Sequence, residues 1–256
     1  ILNLFLFLNF EKINFFQIII DKPDKLRKFH KKKVALAGGI ILFINIVFYC
    51  FFLNLNPEFI SKEIYFMNLY ELNFFILTCT LIFMLGIIDD KFDLNPLNKF
   101  FFLIIIIGQY ILINENILIN TIQLSFLNKS INLGNYSYLF TLFCFLVFLN
   151  AFNMFDGINL QSSSYSIIIF LSILYFYNDS LIIRIILISI LTFTYLNLIN
   201  KSFLGDSGAL LISFIMGYFF IKLYNNELIN HTDEVVIYML VPGIDLVRLF
   251  FKRIFL

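Results

Sequence analysis

Apolar runs of membrane-crossing length follow one another along this chain with little between them. A membrane-spanning helix needs roughly 17 to 25 mostly apolar residues, and candidate spans lie near 1–18, 34–54, 71–88, 99–114, 138–152, 163–178, 181–199, 207–224 and 235–250. The runs are continuous and do not alternate in polarity, unlike the strands of a membrane barrel. The chain therefore reads as all-α: a polytopic membrane helical bundle of about nine transmembrane helices, forming one integral membrane domain over residues 1–256. Composition agrees, with 61% hydrophobic and 14% charged residues and a mean hydropathy of +0.91. A net charge of +1 excludes a nucleic-acid partner held by electrostatics, which needs a concentrated basic surface.

The chain begins at Ile1 without a methionine and stops at Leu256 after a basic apolar stretch, so both ends are expected to be truncated. No cleavable signal with a small-residue site is visible, which makes the apolar segments spans. Cys50, Cys79 and Cys144 each sit in an apolar run without metal-ligand or CxxC spacing, and read as buried free thiols.

Orientation follows the Lys and Arg residues of the short loops. If the basic loop 21–33 faces the cytoplasm, alternation puts the loops near 89–98, 153–162 and 200–206, and the segment after 245, on the same side. That side holds most of the basic residues, against Lys62, Lys129, Arg184 and Lys222 opposite.

Four polar clusters interrupt the hydrocarbon, and the span count places all of them at that one face: Asp89-Asp90-Lys91-Phe92-Asp93, "NAFNMFDGINL" at 150–160, "FLGDSG" at 203–208 and "PGIDLVRLFFKR" at 242–253. In the first, a helical turn would stack Asp89, Asp90 and Asp93 on one face. Adjacent carboxylates raise the proton affinity of one of them, which suits general-base work, and they also attract divalent cations. A solvated, capped turn explains the same residues. Asn95 followed by Pro96 reads as an N-cap and first helical position. Asn153, Asp156 and Asn159, spaced at three, would share a helical face, or simply cap a span. In "FLGDSG" two glycines allow close backbone approach to phosphates, and Asp206 just before a span lies where exposed N–H groups favour an anion. Magnesium takes one or two protein carboxylates plus phosphate oxygens and water, a supply that Asp206 with a neighbour such as Asn153 meets. The basic stretch 21–33 reads as topology signal and anionic-lipid contact.

These motifs, with "DKPDKLRKFH" and the "AGG" after it, occur in the order and spacing of the polyprenyl-phosphate N-acetylhexosamine-1-phosphate transferases. The chain resembles the undecaprenyl-phosphate N-acetylglucosamine-1-phosphate transferases of that family over nearly its whole length, and is more distantly similar to phospho-N-acetylmuramoyl-pentapeptide transferase. The resemblance implies a multi-pass enzyme of the bacterial inner membrane with its active site facing the cytoplasm. Such an enzyme moves a sugar 1-phosphate from a UDP-N-acetylhexosamine to undecaprenyl phosphate and releases UMP. It depends on Mg2+, with Mn2+ as a substitute, and opens the synthesis of a cell-surface polysaccharide such as O-antigen or a cell-wall polymer. By motif, Asp89 and Asp90 would be the paired aspartates, one of them a base; Asn153 and Asp206 the metal ligands; and Asp156 a required aspartate. Phe203 would stack on uracil, Asn159 would lie near the nucleotide and Lys99 near the diphosphate. Arg27, Lys28 and His30 match the basic N-terminal substrate-binding motif. A homodimer follows by family analogy alone.

The chain departs from the family pattern at Asn159-Leu160-Gln161, where DGxxGL is usual, and at Ser207-Gly208-Ala209, where GDxGS is usual. Both changes spare the carboxylates. The histidine-rich loop that follows Arg253 in relatives is missing, so a protein ending at Leu256 is expected to be weakly active or inactive. A transporter is the competing reading, and it predicts polar groups near the membrane middle in broken helices. The sequence does not choose the sugar or the downstream polymer.

Overall fold

The structure, a computed structural model, describes residues 2–10, 12, 19–21, 33–63, 65–66, 68–127, 129–177 and 179–255; for residues 61, 62 and 253–255 it describes the backbone alone. Among these residues the α-helices are α1 (Leu2–Leu8), α2 (Gly38–Leu55), α3 (Leu69–Phe92), α4 (Pro96–Ile113), α5 (Ser137–Phe155), α6 (Gln161–Phe176), α7 (Leu181–Leu198), α8 (Gly205–Asn225) and α9 (Thr232–Phe255). The expected all-α bundle is what forms. Six helices, α2, α3, α4, α5, α7 and α8, are long and apolar enough to cross a membrane. Of the other expected spans, 163–178 is the shorter apolar helix α6, and 235–250 lies in α9, which opens on Asp233 and Glu234 and carries Pro242 inside. Of 1–18, only Leu2–Leu8 is described as helix.

Helix α8 is the axis of the bundle. Its apolar window is 94% buried, as befits a helix apolar all round, and it packs against α2, α3, α5 and α6. Close approach is possible because small residues face one another. A Cβ on Gly86 of α3 would come within 2.3 Å of the Ser207 Cα, and one on Gly39 of α2 within 2.5 Å of the Gly208 backbone nitrogen. Without a hydrophobic drive between helices in lipid, such contacts supply the dispersion energy that binds them. Further along, aromatic rings fill the widening gap: Phe75 lies 4.8 Å from Tyr218 and 6.0 Å from Phe214 between ring centres.

Short strands also occur, where none was expected. β1 (Ile20–Asp21) pairs antiparallel with β2 (Val34–Leu36), and β2 pairs parallel with β5 (Ser202–Phe203). Between α4 and α5, β3 (Thr121–Gln123) and β4 (Ser130–Asn132) form an antiparallel hairpin. Alternation over two or three residues is too brief to stand out in a sequence, and strand pairing across 165 or more positions leaves no local trace.

Helices α3, α5 and α7 end where α4, α6 and α8 begin, so the loops 93–95, 156–160 and 199–204 gather at one end of the bundle. The opposite end carries the hairpin and two buried acids. Glu63 accepts from the Ser180 hydroxyl at 3.0 Å and the Leu181 N–H at 2.9 Å, and also binds the Tyr49 hydroxyl. Glu71 pairs with Lys222, both almost fully buried.

Candidate active site

The last turn of α3 meets the first turn of α8. One Asp90 carboxylate oxygen accepts the Asp206 N–H at 2.7 Å and the other the Ser207 N–H at 3.1 Å. The helix start does attract an anion, but that anion is the protein's own carboxylate. The expectation that these N–H groups stand open for a phosphate is therefore corrected: α8 begins at Gly205, earlier than the apolar run implied, and Asp90 occupies the cap. Gly205 makes room for it. Its φ is +76°, and a Cβ there would sit 2.8 Å from an Asp90 oxygen.

Asp89, one residue earlier, points along a different path. One of its oxygens accepts the Leu94 N–H at 2.9 Å, and the other holds the Lys99 ammonium at 2.5 Å. Lys99 comes from the first turn of α4, which is started by the expected cap: the Asn95 side chain accepts the Leu97 N–H at 3.1 Å, with Pro96 in the first helical position. The same ammonium lies 3.5 Å from Asp206, and the Asp89 and Asp206 carboxyls are themselves in contact. Three aspartates and one lysine thus share a site, with Lys99 and Asp89 both buried.

Helix α5 brings the next residues to the same level. Phe145 and Phe214 stack with ring centres 5.6 Å apart. Eight residues on from Phe145 is Asn153 and eight back from Phe214 is Asp206, each about 12 Å of helix rise from that contact. The Asn153 Oδ1 is buried without a hydrogen-bond partner among the described residues, a costly state that a ligand would relieve. Asp156, just past the end of α5, accepts from the Ser162 hydroxyl. Burial pushes its carboxyl up to about 6, and the Asp90 charge adds to the rise.

Two sequence expectations fail on geometry. Asp93 does not stack with Asp89 and Asp90: α3 stops at Phe92, and Asp93 is an exposed cap in the left-handed region, with φ +48°. Asn153, Asp156 and Asn159 do not share a helical face either, because α5 stops at Phe155. Asn159 is instead an exposed loop residue donating to the Asn200 side chain at 2.6 Å. Phe203 lies in β5, paired with Leu36, three residues before Asp206. Arg27, Lys28 and His30 lie outside the described residues. In α9, Asp245 pairs with Arg248 on its own helix at 2.6 Å.

The structure adds residues that the sequence did not single out. Asn197, buried in the last turn of α7, accepts the Leu160 N–H at 2.7 Å and donates to the Ser202 carbonyl at 2.9 Å. Ser202 in turn accepts the Ala37 N–H on its hydroxyl at 3.2 Å. One amide therefore ties the loop after Asp156 to the strand before Asp206. Asn197 sits inside an apolar run, and a lone amide in a span is the signal that could have found it.

Among the described residues no three His, Cys, Asp or Glu side chains converge as a metal-ion cage. Of the carboxylates here, Asp90 is bonded to the start of α8, Asp89 to Lys99 and Asp156 to Ser162, which leaves Asp206 and the orphaned amide oxygen of Asn153 as the less committed donors. Those suit a hard cation that keeps most of its coordination for phosphate and water.

The model of glycosyl transferase family 4 matches residues 72–224, which include Asp89, Asp90, Lys99, Asn153, Asp156 and Asp206. The chain is 24% identical to the undecaprenyl-phosphate alpha-N-acetylglucosaminyl 1-phosphate transferase of Salmonella typhi, over 92% of this chain and 64% of that protein. The enzymes of the same name from Yersinia pestis and Escherichia coli K12 are 26% and 24% identical, with the same coverage. The chain thus spans 64% of the length of these relatives. With more than half of its residues under the family model, this chain belongs to glycosyl transferase family 4.

Proposed function

We propose that the protein transfers a sugar 1-phosphate, with N-acetylhexosamine 1-phosphate as the best candidate, from a UDP-sugar to undecaprenyl phosphate and releases UMP. The observation that carries this reading is the meeting of Asp89, Asp90, Lys99 and Asp206 at one end of a membrane bundle. A lipid phosphate attacking a nucleotide sugar requires its charged site at the membrane edge, beside hydrocarbon. The relatives' names support the acceptor and the transferred group. Among the described residues the buried acids sit at the two ends of the bundle, Asp89 at one and Glu63 and Glu71 at the other, which counts against the transporter reading, since that needs them near mid-membrane.

Phosphoryl transfer depends mainly on positioning and charge neutralisation. Asp90 does the first. Its two oxygens are committed to α8, so it fixes where Asp206 projects and is poorly placed to take a proton. Asp89, whose oxygens are held by the Leu94 N–H and the Lys99 ammonium, would serve as base once a substrate phosphate draws Lys99 away, and a phosphate monoester is acidic enough to need only a weak acceptor. Asp206 and Asn153 would hold magnesium, or manganese in its place. Bound there, the ion would supply charge neutralisation on the diphosphate. Lys99 lies within reach of the same negative charge. Phe203 offers a ring for the uracil, Asn159 a polar contact near the nucleotide, and Arg27, Lys28 and His30 basic groups for the substrate. The Lys and Arg bias favours the cytoplasmic face of the bacterial inner membrane for this end, where UDP-sugars are made, and the product would begin a cell-surface polysaccharide.

The test is product identity. Membranes containing the protein, given undecaprenyl phosphate, magnesium and UDP-N-acetylglucosamine labelled in the sugar, should yield labelled lipid and one UMP per transfer. Release of UDP in place of UMP, or no lipid product with any UDP-amino sugar, would overturn the reading.

A further inference from the structure

Helix α9 changes character at Pro242. Before it, Val235, Tyr238 and Met239 pack on the core. The helix start is tied to the hairpin, where the Thr232 hydroxyl donates to the Gln123 carbonyl at 2.8 Å and Asp233 accepts the Ser125 hydroxyl at 2.6 Å. Pro242 is itself buried, and among residues 243–252 none is. Ile244, Val247, Phe250 and Phe251 are exposed. Gly243 follows the proline at a place where an added Cβ would meet nothing within 4 Å, so it answers no packing need and only weakens the helix there. Since α9 starts at the hairpin and packs along α5, the segment after Pro242 is an arm heading toward the carboxylate end.

A proline inside a helix leaves the carbonyl four residues earlier without its N–H partner. Here that carbonyl belongs to Tyr238. It is not orphaned, because the Tyr165 hydroxyl, from the second turn of α6, donates to it. Both partners are held in place by rings. Tyr165 meets Phe155 edge-on at 5.4 Å between ring centres and lies 6.1 Å from Phe152, in the last turn of α5 before Asp156. Tyr238 stacks on Phe220 of α8 at 5.2 Å and meets Phe176 of α6 edge-on at 6.1 Å. A group inserted into the helix ladder at a proline holds the bend that admits it.

We propose that Pro242 is a hinge in α9 and that the Tyr165 hydroxyl is the latch that sets its angle. Tyr165 is a positioning residue. Without its hydroxyl the Tyr238 carbonyl is unpaired in apolar surroundings, and other angles, at which that carbonyl finds a different donor, compete. Because the latch rests on Phe155, one side chain joins the direction of the arm to the turn that carries Asp156. The inference is independent of the reaction proposed for the carboxylates.

Spin-label distances test it. Labels are placed on Phe250→Cys in the arm and Leu191→Cys on α7, both exposed, in the full chain carrying Cys50→Ala, Cys79→Ala and Cys144→Ala. Pulsed electron resonance in phosphatidylcholine nanodiscs should give one dominant distance. Tyr165→Phe keeps the ring and removes only the hydroxyl. It should move the population ratio about fivefold toward a second, broader set of distances, the worth of one hydrogen bond. Pro242→Ala returns an N–H to the Tyr238 carbonyl, so Tyr165→Phe added to Pro242→Ala should change nothing. That rescue separates the latch from a general loss of stability, which a change on a different helix would not cure. Unchanged distances in Tyr165→Phe, or broadening that persists in the Pro242→Ala background, would overturn the proposal.

Discussion

The carboxylate of Asp90 caps the helix that begins beside Asp206, accepting the N–H groups of Asp206 and Ser207 at 2.7 and 3.1 Å. This contact joins α3 to α8 and makes the two aspartates one unit. Asp90→Asn places an amide donor against backbone donors, and hydrogen bonds to a charged group are worth about 1.5–3 kcal/mol. The expected result is a lowered melting temperature together with loss of transfer activity by at least about a hundredfold, since ångström misplacement alone can cost that much. Thermal unfolding and turnover of the same preparation check it. An Asp90→Asn protein with normal stability and turnover would remove Asp90 from this role.

Helix crossing at Gly86 is tight enough to predict a structural defect without any change of charge. A methyl carbon added at Gly86 would stand 2.3 Å from the Ser207 Cα, so Gly86→Ala must push α3 from α8. Overpacking of this kind costs about 1–3 kcal/mol. Reduced yield of monodisperse protein and a lower melting temperature are expected, and a neutral Gly86→Ala would show that the helices do not approach so closely.

At Asn197 a single amide serves two loops. Asn197→Leu leaves the Leu160 N–H and the Ser202 carbonyl unpaired in a buried place, at about 1–3 kcal/mol for each group left without a partner. Loosening the loops on either side of the nucleotide should raise KM for the UDP-sugar more than it lowers kcat. Asn197→Asp keeps the acceptor for Leu160 and should recover part of the loss. Equal kinetics for Asn197→Leu and the unaltered protein would contradict the tie.

Acid titration of Asp156 gives a signed pH effect. Its carboxyl is pushed from its ordinary value up to about 6 in the folded protein, chiefly by burial and then by the Asp90 charge. A raised carboxyl contributes stability that is fully present below the unfolded value near 4 and is lost as pH rises through about 6. The melting temperature of the unaltered protein should therefore fall relative to that of Asp156→Asn between about pH 4 and pH 6, and run parallel above. Parallel curves throughout would mean that Asp156 is solvated.

Lys222 and Glu71 offer a test at the far end. Removing one partner of a buried pair costs about 3–5 kcal/mol, and replacing both with apolar or neutral groups of similar size recovers most of it. Lys222→Met should sharply lower the melting temperature, and the double variant Lys222→Met with Glu71→Gln should restore much of it. A double variant as unstable as Lys222→Met would deny the coupling.

The parts of this molecule that the sequence disclosed are those with local signatures. Apolar runs mark the helices, Asn95-Pro96 marks the start of α4, and the charges Asp89, Asp90, Lys99 and Asp206 mark the candidate site because charge is rare in such surroundings. Long-range geometry was hidden. Whether Asp90 faces a ligand or a backbone depends on α8 starting at Gly205, and glycine at that position reads equally well as a loop residue. Asp93 and Asn159 share the spacing of their neighbours, but helices α3 and α5 stop before reaching them, and the signals for those stops were present in Asn95-Pro96 and in Gly157. The buried pair of Glu71 and Lys222 leaves no local trace in the sequence, because it depends on α3 lying beside α8.

Asp89, Lys99 and Asp206 form one charged site, to which the proposed sugar-phosphate transfer is assigned. Transfer of labelled sugar phosphate to undecaprenyl phosphate is measured for Asp89→Asn, Lys99→Met and Asp206→Asn, with Lys129→Ala, exposed between β3 and β4, as the reference. Background transfer is expected for the first three in folded protein and full transfer for the fourth. Substantial turnover by Asp206→Asn or Asp89→Asn would contradict the assignment.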